Sequence, residues 1–341
     1  MKQANSTSLI EQVASFDNLV SAFHECSRGK KATKGYQEAL FCIGEKLKVI
    51  EEQLRSNQFI WQGYRSFYVH DPKMRLIMCA PFMDRIVHHA IHRLVEPVID
   101  PLMSDSVYAC RKKRGNRRAA LSLWEVLKKF GGRRFTVKLD VASYFQSINH
   151  KILLNKFMAC LSDSTLEPLI DRLLNSHPDF SRLGAGIPIG NLTSQLFANF
   201  YLISADRLAT GELELNYYWQ REKVKITEVF YIRYMDDLVL CGKDKSRVLD
   251  AAEAVVSHIE SDLKLSMPIR KRVPLGNAPV PFLGYLLDHQ GYKILSRNKH
   301  RFKKKVARLE KQKVRESYLA MVKTSYLSWQ DLEQGRDSLN A

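Results

Sequence analysis

The stretch Val229–Gly242 constrains this chain most, because it places two adjacent acids between two apolar runs. Residues 229–232 and 238–240 are β-branched, aromatic and aliphatic, so the stretch predicts a hairpin with Asp236 and Asp237 at its tip. An Asp pair in a turn usually satisfies only local backbone groups. Two carboxylates facing an apolar sheet repel each other, however, and a bound cation would relieve that repulsion.

A third acid stands at the end of another strand pattern. Residues 135–140 follow two glycines, end on Asp140, and precede a helical pattern over 151–161. An acid that ends one strand and an acidic hairpin tip on its neighbour would meet at one edge of a sheet. Oxygen ligands suit Mg²⁺, and two such ions about 3.5 to 4 Å apart can stabilise the charges of nucleotidyl transfer. We therefore predict two Mg²⁺ ions here, with Mn²⁺ as a substitute.

The charge of the chain indicates a polyanionic partner. Its 53 Lys and Arg against 36 Asp and Glu give a formal net charge of +17. Six basic residues fall within 111–118, and twelve fall within 293–323. One such cluster would usually be a solvated helix face, and a membrane-surface helix is a weaker alternative. Two clusters together favour nucleic acid.

Other features exclude several classes of protein. The six cysteines lack the close spacing of a zinc or redox site, and we interpret them as reduced core thiols. No apolar run reaches the roughly 18 residues that span a bilayer, and the first 27 residues lack the pattern of a signal peptide. We expect a cytoplasmic protein without membrane contact.

The remaining periodicity predicts an α+β chain. We expect helices within 1–58, at 82–98, 192–208 and 249–263, a hairpin within 59–78, a strand pair at 280–287, and a basic helix at 298–322.

Two segments together resemble the reverse transcriptases. Residues 230–240 read FYIRYMDDLVL and resemble the palm motif of that family, and residues 137–145 read VKLDVASYF and resemble its first catalytic motif. The resemblance implies that Asp140, Asp236 and Asp237 are catalytic metal ligands. It also places Val141 in the metal site, Phe145 where an aromatic ring blocks a 2'-hydroxyl, and Tyr234 and Met235 near the primer. Phe145 could equally be plain core.

Further motifs follow in the order of the family. Residues 71–77 (DPKMRLI) resemble a fingers segment, 108–115 (YACRKKRG) the next fingers motif, and 281–285 (PFLGY) the turn that grips the primer end. The resemblance implies that the incoming nucleotide is held by Lys73, Arg75 and Arg111, and the primer and template by Phe282, Leu283, Gly284, Lys303, Lys304 and Lys305. Lys73 and Arg75 could instead belong to a solvated hairpin, and Arg111 could contact template.

The architecture implied by this resemblance is a right-hand polymerase with fingers, a palm built on an antiparallel sheet, and a helical thumb. We expect an N-terminal helical extension at 1–58, fingers at 59–130, a palm with part of the fingers inserted at 131–290, and a basic helical thumb at 291–341. About 20 residues follow the predicted thumb helix, so we expect no nuclease or maturase domain there.

Residues 186–199 (GIPIGNLTSQLFAN) discriminate among subgroups. Retroviral and group II intron enzymes generally have Gln before Gly190 and Pro after the serine, whereas this chain has Ile189 and Gln195. That pattern is similar to the reverse transcriptases of diversity-generating retroelements, which copy a template RNA and misincorporate opposite adenine. An apolar Ile189 would remove one hydrogen bond of about 1 to 2 kcal/mol, or about tenfold in discrimination. Simple hydrophobic packing is its alternative role.

The resemblance also implies partners and a setting. We expect an RNA-directed DNA polymerase that copies a template-repeat RNA into cDNA with adenine-directed errors for mutagenic retrohoming. Its partners would be template RNA, primer, cDNA, dNTPs and a small basic accessory variability protein oligomer, in a bacterial or phage system. The alternatives are a retron-type or phage-defence reverse transcriptase and an inactive basic RNA-binding protein of the same fold.

Overall fold

A computed structural model describes residues 7–70, 74–211, 228–296, 298–301 and 303–304. The α-helices in these ranges are α1 (Leu9–Ala14), α2 (Phe16–Cys26), α3 (Lys34–Leu40), α4 (Ile43–Arg55), α5 (Phe82–Ile99), α6 (Asn116–Phe130), α7 (Tyr144–Ser147), α8 (His150–Leu161), α9 (Glu167–Leu174), α10 (Pro178–Leu183), α11 (Leu192–Tyr201), α12 (Ile203–Ala209) and α13 (Lys245–Ser261). Short 3-10 helices occupy Asp100–Leu102, Ser164–Leu166 and Ile269–Lys271.

The strands of the described residues form antiparallel sheets. They are β1 (Arg65–His70), β2 (Met74–Cys79), β3 (Phe135–Asp140), β4 (Phe230–Tyr234), β5 (Asp237–Gly242), β6 (Arg272–Gly276), β7 (Val280–Phe282), β8 (Tyr285–Asp288) and β9 (Gly291–Ile294). β1 and β2 form a hairpin, a four-stranded sheet has the order β4-β5-β3-β6, and a three-stranded sheet has the order β7-β8-β9. The predicted α+β class with antiparallel sheets is confirmed.

The described residues pack as two compact units. The first combines the described parts of Met1–Asp105, Val141–Leu208 and Val255–Pro268. Its central helix is α5, which packs against α2 and α11. The apolar α5 residues that are fully buried recur on one side of the helix, as an apolar stripe requires: Ile86, Val87, Ala90, Ile91, Val95 and Ile99.

The second unit combines the described parts of Ser106–Asp140, Ala209–Ala254 and Ile269–Ala341. It contains both larger sheets and α6. One face of the four-stranded sheet, with Ile232, Val239 and Cys241, shares an apolar core with α6 and with the sheet β7-β8-β9. This packing fixes the sheet whose edge carries the predicted catalytic acids.

Several predicted elements are confirmed within a few residues. They are the hairpin β1-β2, helix α5, strand β3, helix α8, the hairpin β4-β5 and the strand pair β7-β8. The predicted basic helix lies outside the described residues beyond position 304. The division into fingers, palm and thumb stays a prediction, because each packing unit combines segments from several of those ranges.

Other expectations need correction. The predicted helix at 192–208 is broken at Leu202 into α11 and α12. Asp237 is the first residue of β5 rather than part of the hairpin tip, which is formed by Met235 and Asp236. Helix α6 and the strands β6 and β9 were not expected, because a basic cluster hid the apolar face of α6 and the strands are only four or five residues long.

The cysteines are only partly as expected. All six lie in the described ranges as thiols without disulfides. Cys26 and Cys241 are buried, but Cys42 and Cys110 are exposed and so are not core residues. Among the described residues, no helix combines the length and apolar character needed to cross a bilayer.

Candidate active site

Asp140 and Asp237 lie directly opposite each other in the four-stranded sheet. Asp140 ends β3, Asp237 begins β5, and the register of the two antiparallel strands pairs them. Paired residues on neighbouring antiparallel strands project to the same face, with Cβ atoms about 4.5 to 5.5 Å apart. The structure thus brings together these two carboxylates, as the sequence predicted.

The hairpin tip beside them is a two-residue turn. Met235 has φ 55, a left-handed conformation that such tight hairpins require. The fully buried Arg233 donates a hydrogen bond from Nη1 to the carbonyl of Met235 at 3.1 Å. Asp236 completes the turn, and the half-buried Tyr234 pairs with Asp237 in the register. A buried guanidinium under the turn holds the acidic tip in place.

Two lysines neutralise the paired acids. Lys138 Nζ lies 2.9 Å from Asp237 Oδ2, and Lys271 forms an ion pair with Asp140. Neither lysine was predicted from the sequence to be a site residue. Lys138 could have been found, since a strand residue two before Asp140 shares its face. Lys271 had no such signal, because it lies 131 positions from Asp140 in the chain.

The electrostatics of Asp237 indicate a place for a cation. Burial raises the pKa of Asp237 to about 6; Lys138 counteracts part of this shift and the neighbouring Asp236 adds to it. The Oδ1 atom of Asp237 is buried without a hydrogen-bond partner. A buried oxygen that accepts no hydrogen bond is costly unless a ligand satisfies it.

The donor set fits a hard divalent ion. Among the described residues, no three His, Cys, Asp or Glu side chains gather as a closed metal cage. Mg²⁺ does not require one, since it is typically bound by one or two carboxylates together with substrate phosphates and water. Asp140 and Asp237 supply such carboxylates, Asp236 is adjacent, and the buried Val141 follows Asp140 directly.

The first packing unit holds five of the predicted nucleotide-binding residues: Arg75, Phe145, Ile189, Gly190 and Gln195. The carbonyl of Ile189 accepts a hydrogen bond from the Met78 amide at 2.8 Å, so the segment around Ile189 lies along β2, the strand that carries the exposed Arg75. Gly190 has φ +123, and a Cβ there would lie 2.9 Å from Ile77 Cγ2. Only glycine suits this close approach.

Asn191 was missed by the sequence analysis, yet it clamps this arrangement. Its side chain accepts from the Ala80 amide at 3.3 Å and donates to the Met78 carbonyl at 3.2 Å. The side chain is buried, and it joins the end of β2 to the start of α11. A polar residue beside a motif glycine was the only available signal.

Phe145 and Gln195 belong to the same unit. The carbonyl of Phe145 accepts from the Ile187 amide at 2.8 Å, which brings Phe145 close to the Ile189 segment. Phe145, Ile189 and Gln195 are each half-buried. Part of each of these side chains is therefore exposed, and their proposed roles stay predictions.

Two arginine side chains of the basic loop before α6 contact other residues of the same segment. Arg111 Nη1 donates to the carbonyl of Val107 at 3.1 Å. The guanidinium carbon of Arg114 lies 5.2 Å from the centre of the Tyr108 ring. Lys112 and Lys113 are exposed. This places Arg111 and the exposed lysines on one loop of the second unit.

The predicted primer turn connects β7 and β8. Leu283 and Gly284 form its tip with φ 49 and φ 93, and a Cβ on Gly284 would clash with the Asn298 amide. Phe282 is fully buried in the core of its unit, so only its backbone can face a ligand. Lys303 and Lys304 are exposed, while the predicted site residues Lys73 and Lys305 lie outside the described residues.

Comparison with known proteins identifies the motif-bearing region. The family model described as "Reverse transcriptase (RNA-dependent DNA polymerase)" matches residues 70–287. The group II intron-encoded protein LtrA of Lactococcus lactis subsp. cremoris is 26% identical over 185 residues, which cover 52% of this chain and 30% of that protein. Protein YkfC of Escherichia coli (strain K12) is 25% identical over 273 residues, covering 72% of each.

Solved structures are also similar. A chain of a partial Cas6-RT-Cas1--Cas2 complex matches with a TM-score of 0.43 and 20% identity, covering 75% of this chain and 43% of that one. Apo telomerase from Candida tropicalis matches with a TM-score of 0.47 and 10% identity, covering 68% and 55%. The chain therefore spans less than a third of the length of LtrA and about half of each of these structures.

Proposed function

We propose that this chain, which belongs to the reverse transcriptase (RNA-dependent DNA polymerase) family, extends a DNA strand on an RNA template with two divalent ions. The observation that carries the proposal is the opposed pair Asp140 and Asp237, with the buried Oδ1 of Asp237 lacking a partner. Asp236, at the tip of the same hairpin, is the third proposed ligand. Enzymes of this family generally use divalent metal ions, and Mg²⁺ or Mn²⁺ would serve here.

The divalent ions would stabilise the negative charge on the attacking 3'-oxygen, the α-phosphate and the departing pyrophosphate. The protein holds Asp140 and Asp237 on adjacent strands of one sheet, so their separation is set by backbone hydrogen bonds rather than by a loop. Arg233 fixes the tip that carries Asp236. The proposed roles of Lys73, Arg75 and Arg111 are to bind the triphosphate, and that of Phe145 is to exclude a 2'-hydroxyl.

Primer extension tests this proposal. We expect the full chain to extend a DNA primer on an RNA template in Mg²⁺. Asp237→Asn should abolish extension while template binding persists, because the variant removes a proposed metal ligand and leaves the basic surface unchanged. Asp250→Asn is the matched control, an exposed acid on α13 of the same unit, and it should retain activity. Full activity of Asp237→Asn would refute the proposal, and an inactive wild type that binds RNA would favour the RNA-binding alternative.

We further propose that the chain belongs to the diversity-generating subgroup and makes adenine-directed errors. The support is the Ile189 and Gln195 pattern. Both residues are half-buried in the unit that also carries Phe145, and the carbonyl of Ile189 pairs with Met78 on β2. An apolar side chain there withholds a hydrogen bond that an amide would give. Its partners would then be a template-repeat RNA and a small basic accessory variability protein oligomer.

Sequencing of cDNA tests the subgroup. Ile189→Gln should lower misincorporation opposite template adenine by about tenfold, with little change at the other bases. Leu183→Gln introduces the same amide at an exposed site of the same unit and should leave the error spectrum unchanged. An accurate wild type would instead favour a retron-type or phage-defence enzyme, and an unchanged spectrum in Ile189→Gln would remove this residue as the cause.

A further inference from the structure

Lys138 contacts both Asp237 and the first two residues of the turn at residues 281–284. Its Nζ lies 2.9 Å from Asp237 Oδ2 and donates to the Pro281 carbonyl at 2.8 Å. The same atom lies 5.7 Å from the centre of the Phe282 ring. One ammonium has three donors, and here two of them join a proposed metal ligand to the start of the turn at residues 281–284.

Lysine is an unexpected residue at this position. Its neighbours in the sheet register are Val239 on β5 and Val273 on β6. A β-branched residue would suit such a strand position better, and only 22% of the Lys138 side chain is exposed. Taking an ammonium out of water is costly unless it is paired. The polar contacts of Lys138, rather than its packing, therefore stabilise it at this position.

The contacts also divide the two oxygens of Asp237. Lys138 occupies Oδ2, whereas the buried Oδ1 has no hydrogen-bond partner. A carboxylate anchored by one oxygen has little rotational freedom, so the other oxygen is held ready for a ligand. The opposite end of the bridge is anchored by the carbonyl of Pro281, the first residue of the proposed primer turn.

We infer that Lys138 is a positioning residue that sets the distance between the Asp237 carboxylate and the turn at residues 281–284, and thereby aligns the primer end with the metal site. This inference rests on the proposed polymerase function. Lys138 acts through Asp237 and Pro281, and its role is neither metal binding nor proton transfer.

The first test is kinetic. In Lys138→Met, kcat for single-nucleotide addition should fall by about tenfold to a hundredfold, the scale on which a displacement of about 1 Å lowers a rate. The Kd for template and primer should stay within about threefold, or about 0.7 kcal/mol, because both polar contacts of Lys138 are with the protein itself. Lys138→Arg can reach both partners and should recover most of kcat.

The matched control is Lys245→Met. Lys245 lies in the same unit and also stacks over a ring, with its Nζ 5.6 Å from the centre of Phe135, but it is exposed. Its replacement should leave kcat unchanged. A loss of folded protein would lower the concentration of active enzyme in both the kinetic and the binding assay. A positioning role lowers kcat and leaves the Kd for template and primer unchanged.

The second test is independent of activity. Amide hydrogen exchange of residues 282–285 should accelerate most in Lys138→Met, which removes both ends of the bridge, and less in Asp237→Asn, which removes the charge that holds one end. It should be unchanged in Lys245→Met. If Lys138→Met does not fold, Lys138→Gln retains a donor for the Pro281 carbonyl and replaces it in both tests.

The outcomes separate the two hypotheses. An inactive wild type overturns the proposed function, whereas the exchange experiment still decides whether Lys138 couples Asp237 to the turn. An active wild type with normal kcat in Lys138→Met, or with unchanged exchange in both bridge variants, overturns the positioning role alone.

Discussion

Lys271 forms an ion pair with Asp140, although the two residues are 131 positions apart in the chain. Lys271 ends the short helix before β6, and β6 pairs with β3, whose last residue is Asp140. The pairing of these strands therefore places a cation on a proposed metal ligand. A divalent ion that binds Asp140 must compete with this lysine.

That competition gives the first prediction. In the absence of metal, Lys271→Met should lower the free energy of unfolding by about 1 to 2 kcal/mol. Breaking a fully buried pair would lower it by about 3 to 5 kcal/mol, but these two side chains are 27% and 29% exposed. Added Mg²⁺ should then raise the Tm of the variant more than that of the wild type. Equal Mg²⁺-induced shifts, measured by thermal denaturation, would contradict the competition.

Gly190 gives a prediction about the pocket. Gly190→Ala should cost about 1 to 3 kcal/mol for its unfavourable backbone conformation, and its Cβ would lie 3.2 Å from the Met78 carbonyl oxygen. Nucleotide addition should fall as well, because β2 must move. Gly63→Ala is the control, since a Cβ there meets nothing within 4 Å. Denaturant unfolding and primer extension measure both effects.

His88 predicts a pH dependence of stability. It is fully buried, its Nδ1 lies 2.8 Å from Thr193 Oγ1, and burial lowers its pKa to about 3. In the unfolded chain His88 has its ordinary pKa of 6.5 and binds a proton below that pH, whereas in the folded protein it stays neutral. Stability should therefore fall as the pH drops from 6.5 towards 3, by up to about 1.4 kcal/mol per pH unit.

The check is a difference measurement. His88→Asn should be less stable than the wild type at pH 7 because it leaves a cavity. The gap between the two proteins should narrow as the pH falls through that window. A gap that stays constant between pH 7 and pH 4 would show that His88 does not carry the effect.

Arg134 predicts a large structural effect. Its side chain is fully buried, and it donates to Asp288 Oδ1 at 2.6 Å and to the carbonyls of Gly131 and Asn277 at 2.9 and 2.8 Å. Arg134→Met should lower the free energy of unfolding by about 2 to 3 kcal/mol, below the value of about 3 to 5 kcal/mol for a fully buried pair, because Asp288 is 31% exposed. Arg133→Met, at the exposed neighbouring position, should change it little. Urea denaturation of both variants makes the comparison.

The last prediction concerns the basic residues near the end of the described chain. Changing the exposed Lys303 and Lys304 to Ala should weaken template binding and reduce the steepness of its salt dependence, because phosphate contacts release counterions. Binding titrations between low and moderate salt measure the slope. An unaltered slope would place these lysines away from the nucleic acid.

Local patterns were sufficient for much of the fold. The period of α5, the strand ending on Asp140 and the apolar runs around Asp236 and Asp237 were all visible in the sequence, because each depends on residues close together in the chain. Helix α6 was not, because the basic cluster at residues 111–118 overlaps its first turn.

The amino-acid sequence alone was sufficient to identify the acids, the order of the motifs and membership of a family. Which charged side chains lie beside Asp140 and Asp237 depends on the fold. Lys138 reaches the Pro281 carbonyl across 143 positions, and Lys271 reaches Asp140 across 131. The physical reason is strand pairing, which joins distant segments through backbone hydrogen bonds whose register no local pattern specifies.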